Sequence, residues 1–495
     1  MDNQKRLNVL QNISFGSQVA EEEIDNIKNY FVETDIWHRL KDDDIDIVYG
    51  YKGAGKSALY LLLNSKADAF RKLGTHVISA ENPRGDTIFS NLKVSPPPDE
   101  REFINLWKLY LLAVITNQLS RENIDHEDLK KVQLALRKAK ILPSGGTLNL
   151  SQIFSFVKDY FLPKNLKVGA GFDPLSNKVE GEVEIIFREK TFDEHGNEGV
   201  QNIDELFQYI ARTLEYYDNR IWLLIDRLDV AFADTPDLER NALRALFKTY
   251  RDLSKYDCIR VKIFLRTDIW NRITADGFRE ATHITREASL TWSNESIFNL
   301  IVKRLLSNEE IITSYGVNAD EILASKEGQR EFFYRVIPKQ VEVGERQSET
   351  FDWIMNRTGD GINRSSPREI IMLLNSLRSA QTKRLEQGLA QFQAGNSILF
   401  ERVAFKEALP EVSTYRTERN LYAEYPDLKV YVELLREQKC EHTLKTLGKL
   451  WNTDLVSTSH VASKLVAAGF FHEKTSTYWI PFVFRPYLCL VQGKA

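Results

Sequence analysis

The stretch from Asp44 to Leu63, DIDIVYGYKGAGKSALYLLL, constrains the fold of this chain more than any other. A β-rich run (Ile45, Ile47, Val48, Tyr49) leads through a loop with glycines at 50, 53 and 55 into an apolar run at helical spacing, Ala58 to Leu63. Gly50, four residues, then Gly55, Lys56 and Ser57 complete the P-loop pattern. Glycine permits positive φ, so the loop Gly50, Tyr51, Lys52, Gly53, Ala54, Gly55, Lys56, Ser57 is expected to turn its N–H groups towards a phosphate. The following helix adds its positive N-terminal end. Lys56 is placed to reach β- and γ-phosphates, and the Ser57 hydroxyl to complete the shell of a Mg²⁺ held mainly by phosphates and water.

A second landmark is RIWLLIDRLDVAF, Arg220 to Phe232. Five consecutive apolar residues, Ile221 to Ile225, predict a strand buried on both faces, with Asp226 at the carboxyl end where ligands bind in open α/β sheets. A carboxylate there holds the water shell of Mg²⁺, directly or through Ser57. A second acid a few residues on can orient or deprotonate an attacking water. Asp229 is the expected second acid, with a cap on the following helix as the alternative.

The remaining chain frames these landmarks. At 495 residues, with 43% hydrophobic and 27% charged residues, two to four globular domains are expected. The polar start MDNQKR and the lack of any apolar run of 18 or more residues argue against a signal peptide or membrane span, hence for the cytoplasm and no membrane partner. Cys258, Cys440 and Cys489 are scattered, without disulfide or metal-ligand spacing. A net charge of -4 excludes a surface basic all over, though not a local basic face. An FG turn at Phe15 and Gly16 precedes an acidic amphipathic helix carrying Ile24, Ile27, Tyr30 and Phe31. Leu73–Asn82 reads as a strand and Arg101–Ser120 as a helix whose aromatic stripe is core. Residues 123–199 read as an insertion: a helix over 127–140, an apolar segment, then alternation over 167–187 that suggests a hairpin. A helix over Asp237–Tyr256 and a strand over Ile259–Trp270 bearing Arg266, Thr267 and Asp268 follow. SLTW, Ser289 to Trp292, is β-like; Ser293 is an N-cap, and its helix runs to Leu306. Further on, Ser365 or Ser366 caps a helix with Pro367 in its first turn. From 411 the order is helix, short helix, helix and two strands, as in a winged helix with Thr458–Ala468 for recognition. That helix carries a single cation, Lys464, and the segment has 11 Lys and Arg against 9 Asp and Glu, which weakens a role in nucleic-acid binding.

The words FGSQVAEEE, GYKGAGKS, LLIDRLD, FLRTD, SPREI and WIPFVFRPYL together resemble bacterial stand-alone P-loop ATPases related to AAA+ and STAND proteins, a type found among antiviral defence genes. The resemblance implies an α/β P-loop core at 41–292 behind a linker at 1–40, a helical lid at 293–410 and a winged-helix-like domain at 411–495. It implies ATP with Mg²⁺, assembly into homo-oligomers and a separately encoded effector. It places Phe15 and Gly16 beside the adenine, unless that segment only packs. Arg266 would be a γ-phosphate sensor or a strand-end salt bridge. Arg368 of SPREI would be a lid sensor or a partner of Asp360 or Glu369. Arg279 and Arg286 would be arginine fingers or surface residues. Walker B reads DRLD, so Arg227 stands where such ATPases carry an acid, which favours slow turnover. A nucleic-acid-dependent ATPase and a nucleotide-binding scaffold without turnover remain the alternatives to an ATP-driven switch.

Overall fold

The computed structural model describes residues 1–23, 26–81, 100–143, 148–161, 184–186, 200–228, 236–275, 277–362, 364–393 and 395–495. They fall into two compact units: 35–51 with 56–290, and 1–34 with 52–55 and 291–495.

The first unit holds β1 (Ile47–Gly50), β2 (Thr75–Ser79), β3 (Glu184–Ile186), β4 (Val200–Asn202), β5 (Arg220–Ile225), β6 (Ile259–Arg266) and β7 (Glu287–Ser289). Five of them form one parallel sheet in the order β2-β5-β6-β1-β7. This is the strand order of a P-loop NTPase sheet, in which β6 separates the strand before the glycine loop from the strand that leads to Asp226. The strands are near-continuous apolar runs because helices cover both faces. Ile47, Tyr49, Ile78, Leu223, Ile225, Ile263 and Leu265 join the core built with the helices Glu100–Arg121, Ile203–Tyr216 and Pro236–Leu253. On the other face the ring of Tyr60, from the helix Lys56–Ser65, meets Phe264 edge-on at 5.9 Å, and Phe70 lies 5.0 Å from Trp222. Phe103, Trp107 and Tyr110 are buried in the core, as expected for that stripe.

The predicted strand over 259–270 stops at Arg266, and Thr267–Thr274 is helical. In the insertion the helices are Glu127–Lys138 and Leu150–Phe161. Most of the expected hairpin lies outside the described residues. Its last part, β3, pairs parallel with β4, a pairing that no tight hairpin turn joins.

A charged cluster sits at the amino-terminal edge of the sheet. Lys262 of β6 is 0% exposed, and its ammonium donates to Asp43 at 2.7 Å, to the carbonyl of Ile45 at 2.9 Å and to Asp46 at 3.3 Å. Asp46 also accepts from Arg286 at 2.7 Å and from the Tyr250 hydroxyl at 3.1 Å. A lysine inside a β-strand survives burial only with such full pairing.

The second unit has one apolar core that gathers Leu10, Phe15, Ile301, Phe333, Leu373 and Phe405. The expected acidic helix is reduced to the turns Ala20–Glu22 and Ile27–Tyr30, while Ile24 lies outside the described residues. The cause is Glu23, which turns inward, accepts from Ser17 N at 2.6 Å and pairs with Arg304 at 2.9 Å. Ser293 caps the helix Asn294–Leu306 as expected. The C-terminal part is a winged helix with β8 (Lys439–His442), helices Leu444–Trp451 and Leu455–Ala467, β9 (His472–Glu473), β10 (Tyr478–Trp479) and β11 (Val491–Lys494). Its sheet runs β11-β8-β10-β9. Asp454 caps the second helix three residues before the expected start. No described helix is long and apolar enough to cross a membrane.

Replacing Asp46 by Ala removes one of the three partners of Lys262 and leaves Arg286 with Asp43 alone of its two acids. Stability is expected to fall by about 3 kcal/mol, read as a drop in melting temperature of roughly 6–12 °C.

Candidate functional site

The parallel register delivers several chemically active residues to the carboxyl edge of the sheet. Gly50 ends β1 opposite Arg266, and Ile225, one residue before Asp226, is level with Ile263. Gly50 is extended and part of the strand, so the positive φ expected of all three glycines falls on Gly53 (+82°) and Gly55 (+101°) alone. Lys56 opens the helix, buried, with its ammonium donating to the carbonyls of Gly50 at 2.8 Å and Tyr51 at 3.1 Å. The next residue, Ser57, donates from Oγ to Asp226 Oδ2 at 2.8 Å. Asp226 is 4% exposed. A hydroxyl and a carboxylate joined at the head of a helix form the all-oxygen donor set that a hard cation such as Mg²⁺ takes alongside water and phosphate. Ser57 and Asp226 therefore fit the metal predicted for them.

Arg227 follows in the left-handed region, φ +58°. An L-residue adopts that conformation at a cost of about 1–2 kcal/mol. Asp229 lies outside the described residues. Arg266 is at the edge beside Gly50, and its fork grips Asp268 through Nε at 3.0 Å and Nη2 at 2.8 Å. The strand-end salt bridge is therefore present at the sensor position. Arg286 belongs to the opposite edge, where Asp46 and the backbone of Asp43 hold it. Arg279 is exposed in a short turn.

The tip of the loop, 52–55, groups with the second unit. Lys52 donates to the carbonyl of Arg419 at 2.9 Å, and the Trp292 indole donates to the carbonyl of Ala54 at 2.7 Å. Gly53 lies so close to the start of the helix Pro367–Glu386 that a Cβ would come within 2.8 Å of Ser366 Oγ and 3.0 Å of Arg368 Cβ. Arg368 is not paired with Asp360 or Glu369, the acids considered for it. Both are bound by Arg416 at 2.9 Å, while Arg368 Nε faces the carbonyl of Gln18 at 3.4 Å. Ser366 is the N-cap residue, and its hydroxyl bonds Glu369.

Phe15 is 1% exposed, and its ring lies 6.5 Å from that of Phe400 inside the helical core. Gly16 has φ +77°, and a Cβ there would lie 1.7 Å from Glu23 Oε1. Its carbonyl accepts from Asn375 at 2.8 Å. The ring therefore packs in the core, and the backbone of 16–18 is what faces Asn375 and Arg368.

One acid at the edge carries no motif. Glu81, 1% exposed, follows β2 and is brought beside the Asp226 strand by pairing alone. In the sequence it reads only as a polar residue after a strand.

No protein-family model matches the chain. The chain is similar to a putative transposon gamma-delta 80.3 kDa protein of Escherichia coli K12, with 24% identity over 304 residues. The match takes in 59% of this chain and 39% of that protein, so the chain spans about two fifths of the relative's length. Among solved structures it is similar to the Aeropyrum pernix ORC1 protein in complex with DNA, at TM-score 0.36 and 9% identity, over 95% of this chain and 96% of that one. A Walker-type ATPase of Pyrococcus abyssi matches at TM-score 0.39 and 11% identity, over 93% and 96% of the two chains. The Aeropyrum pernix ORC2 protein matches at TM-score 0.38 and 12% identity, over 93% and 89%.

Gly16→Ala must displace Glu23 from Arg304. It is expected to cost at least about 3 kcal/mol, measured as a lowered melting temperature with faster proteolysis within residues 13–23.

Proposed function

We propose that the chain binds ATP with Mg²⁺ and hydrolyses it slowly, working as a nucleotide-driven switch. The observation that carries this reading is the Ser57–Asp226 hydrogen bond of 2.8 Å, next to a buried Lys56 at the head of a helix that follows a glycine loop. In this reading the N–H groups of 50–57 cradle the phosphates, and Lys56 exchanges its two carbonyl partners for β- and γ-phosphate oxygens. Ser57 and Asp226 hold Mg²⁺, which when bound neutralises charge on the phosphates. Arg266 and Arg368 answer to the γ-phosphate, the first by releasing Asp268. Phe15 and Gly16 form the adenine side through backbone. Asp229 is the acid that the sequence offers for the attacking water.

The switch reading extends to assembly into homo-oligomers and to regulation of a separately encoded effector in bacterial antiviral defence, supported by the family resemblance of the motifs. A second reading, an ATPase driven by nucleic acid, draws on the winged helix at the C-terminus. Its helix Leu455–Ala467 offers little to phosphates, since Lys464 already pairs with Asp427 at 3.2 Å.

ATP turnover and molecular mass, measured with and without DNA and RNA on wild type and Lys56→Ala, test both. Wild type is expected to turn over slowly and to assemble with nucleotide, and Lys56→Ala to lose about 100-fold or more in turnover. Stimulation by DNA that fades steeply with salt would favour the second reading.

A further inference from the structure

We infer that Glu81 is an acid that faces the attacking water. This rests on the ATPase reading and deepens it.

The argument begins with register. Ser79 is level with Leu224, and Ala80 N continues the ladder by donating to the carbonyl of Leu224 at 2.9 Å. Continued two residues past that pair, just beyond the ends of β2 and β5, the register sets Glu81 level with Asp226, on neighbouring strands that lie about 4.8 Å apart. Asp226 is already committed to Ser57. The residue after it, where an acid would otherwise serve, is Arg227 in a left-handed conformation.

Glu81 is also rigidly held. The Tyr60 hydroxyl, from the helix that begins with Lys56, donates to the carbonyl of Glu81 at 2.9 Å. From the opposite face of the sheet, the Tyr110 hydroxyl donates to the carbonyl of Ala80 at 2.7 Å. Burial, with the Glu81 carboxylate adding to it, pushes both phenols well above the ordinary range, so they stay protonated and keep donating. Ser79 Oγ bonds Asn64 Oδ1 at 3.0 Å on the same helix. Two clamps on consecutive carbonyls from two faces suit a group that must be positioned to a fraction of an ångström. Asp226 and Arg227 act on the same Tyr60 phenol as Glu81 does, the two carboxylates raising it and the guanidinium lowering it.

The step is a hydrolysis. The water oxygen bonds to the γ-phosphorus as the bond from phosphorus to the β–γ bridging oxygen breaks. That electron pair leaves with ADP, and the Glu81 carboxylate takes the proton released by the water.

The test compares wild type, Glu81→Gln and Glu81→Asp in the full chain, reading ATP affinity and single-turnover hydrolysis of bound ATP separately. Glu81→Gln is expected to cut hydrolysis about 100-fold or more while ATP affinity stays within about threefold. Hydrolysis by Glu81→Gln within tenfold of wild type overturns the inference. So does loss of ATP affinity in step with turnover in both Glu81 variants, which would make Glu81 a structural residue. A wild type that binds ATP but never hydrolyses it refutes the inference and leaves a nucleotide-binding scaffold. One that binds no ATP sinks the ATPase reading itself.

Discussion

The register of three parallel strands is the constraint on which the rest depends. Ile263 of β6 is bonded level with Ile47 on one side and Ile225 on the other, and this places Gly50, Asp226 and Arg266 at one edge. A slip of one residue in any strand would turn its core side chains to the opposite face. It would also carry Asp226 away from Ser57. Because the strands are buried on both faces, such a slip costs apolar contacts throughout, and the 2.8 Å Ser57–Asp226 bond is fixed by packing far from it.

The same strands separate two kinds of polar chemistry. At the amino edge Lys262, Arg286, Asp43 and Asp46 satisfy one another, with nothing asked of them beyond closing the sheet. At the carboxyl edge the polar groups bind chiefly to backbone carbonyls or to a neighbour that a ligand can replace: Lys56 on Gly50 and Tyr51, Arg266 on Asp268. Charged residues in the first setting are tied to one another across the sheet, and in the second to backbone or to a near neighbour in sequence. Both edges present arginines at strand ends, so residue type alone does not distinguish Arg286 from Arg266.

That difference explains what could be read in the sequence. The glycine loop, the strand before Asp226 and the helix cap at Ser293 are local patterns, and each is found where its residues predict it, while Ser366 holds the N-cap position but turns its hydroxyl to Glu369. Glu81 and Lys262 depend on which strands are neighbours, information that no local pattern carries. β8 and β11 were not legible for another reason. β11 is VQGK with every residue exposed, so it has no apolar alternation, and it joins the sheet by backbone pairing to β8. The acidic helix after Gly16 fails because tertiary pairing of Glu23 with Arg304 outweighs a modest local propensity.

Within the second unit the loop tip is not an isolated turn. Lys52 binds the carbonyl of Arg419, which lies in the π-helical stretch Tyr415–Tyr422. Arg416 of the same stretch joins Glu369, one residue beyond Arg368, to Asp360. The next residue, Gly361, donates to the carbonyl of Gly469 at 2.7 Å and accepts from His472 at 2.8 Å, so the chain of contacts ends in the winged helix. Side chains in this path are close-packed: a Cβ on Gly361 would meet the carbonyl of Phe471 at 2.2 Å, and one on Gly53 would meet Ser366. Close-packed contacts do not deform continuously, so a displacement of the loop tip by a few tenths of an ångström must move the 367–386 helix or break its contacts. π-helical turns are irregularities kept mainly where function needs them. This one lies at the step joining the loop tip to the winged helix.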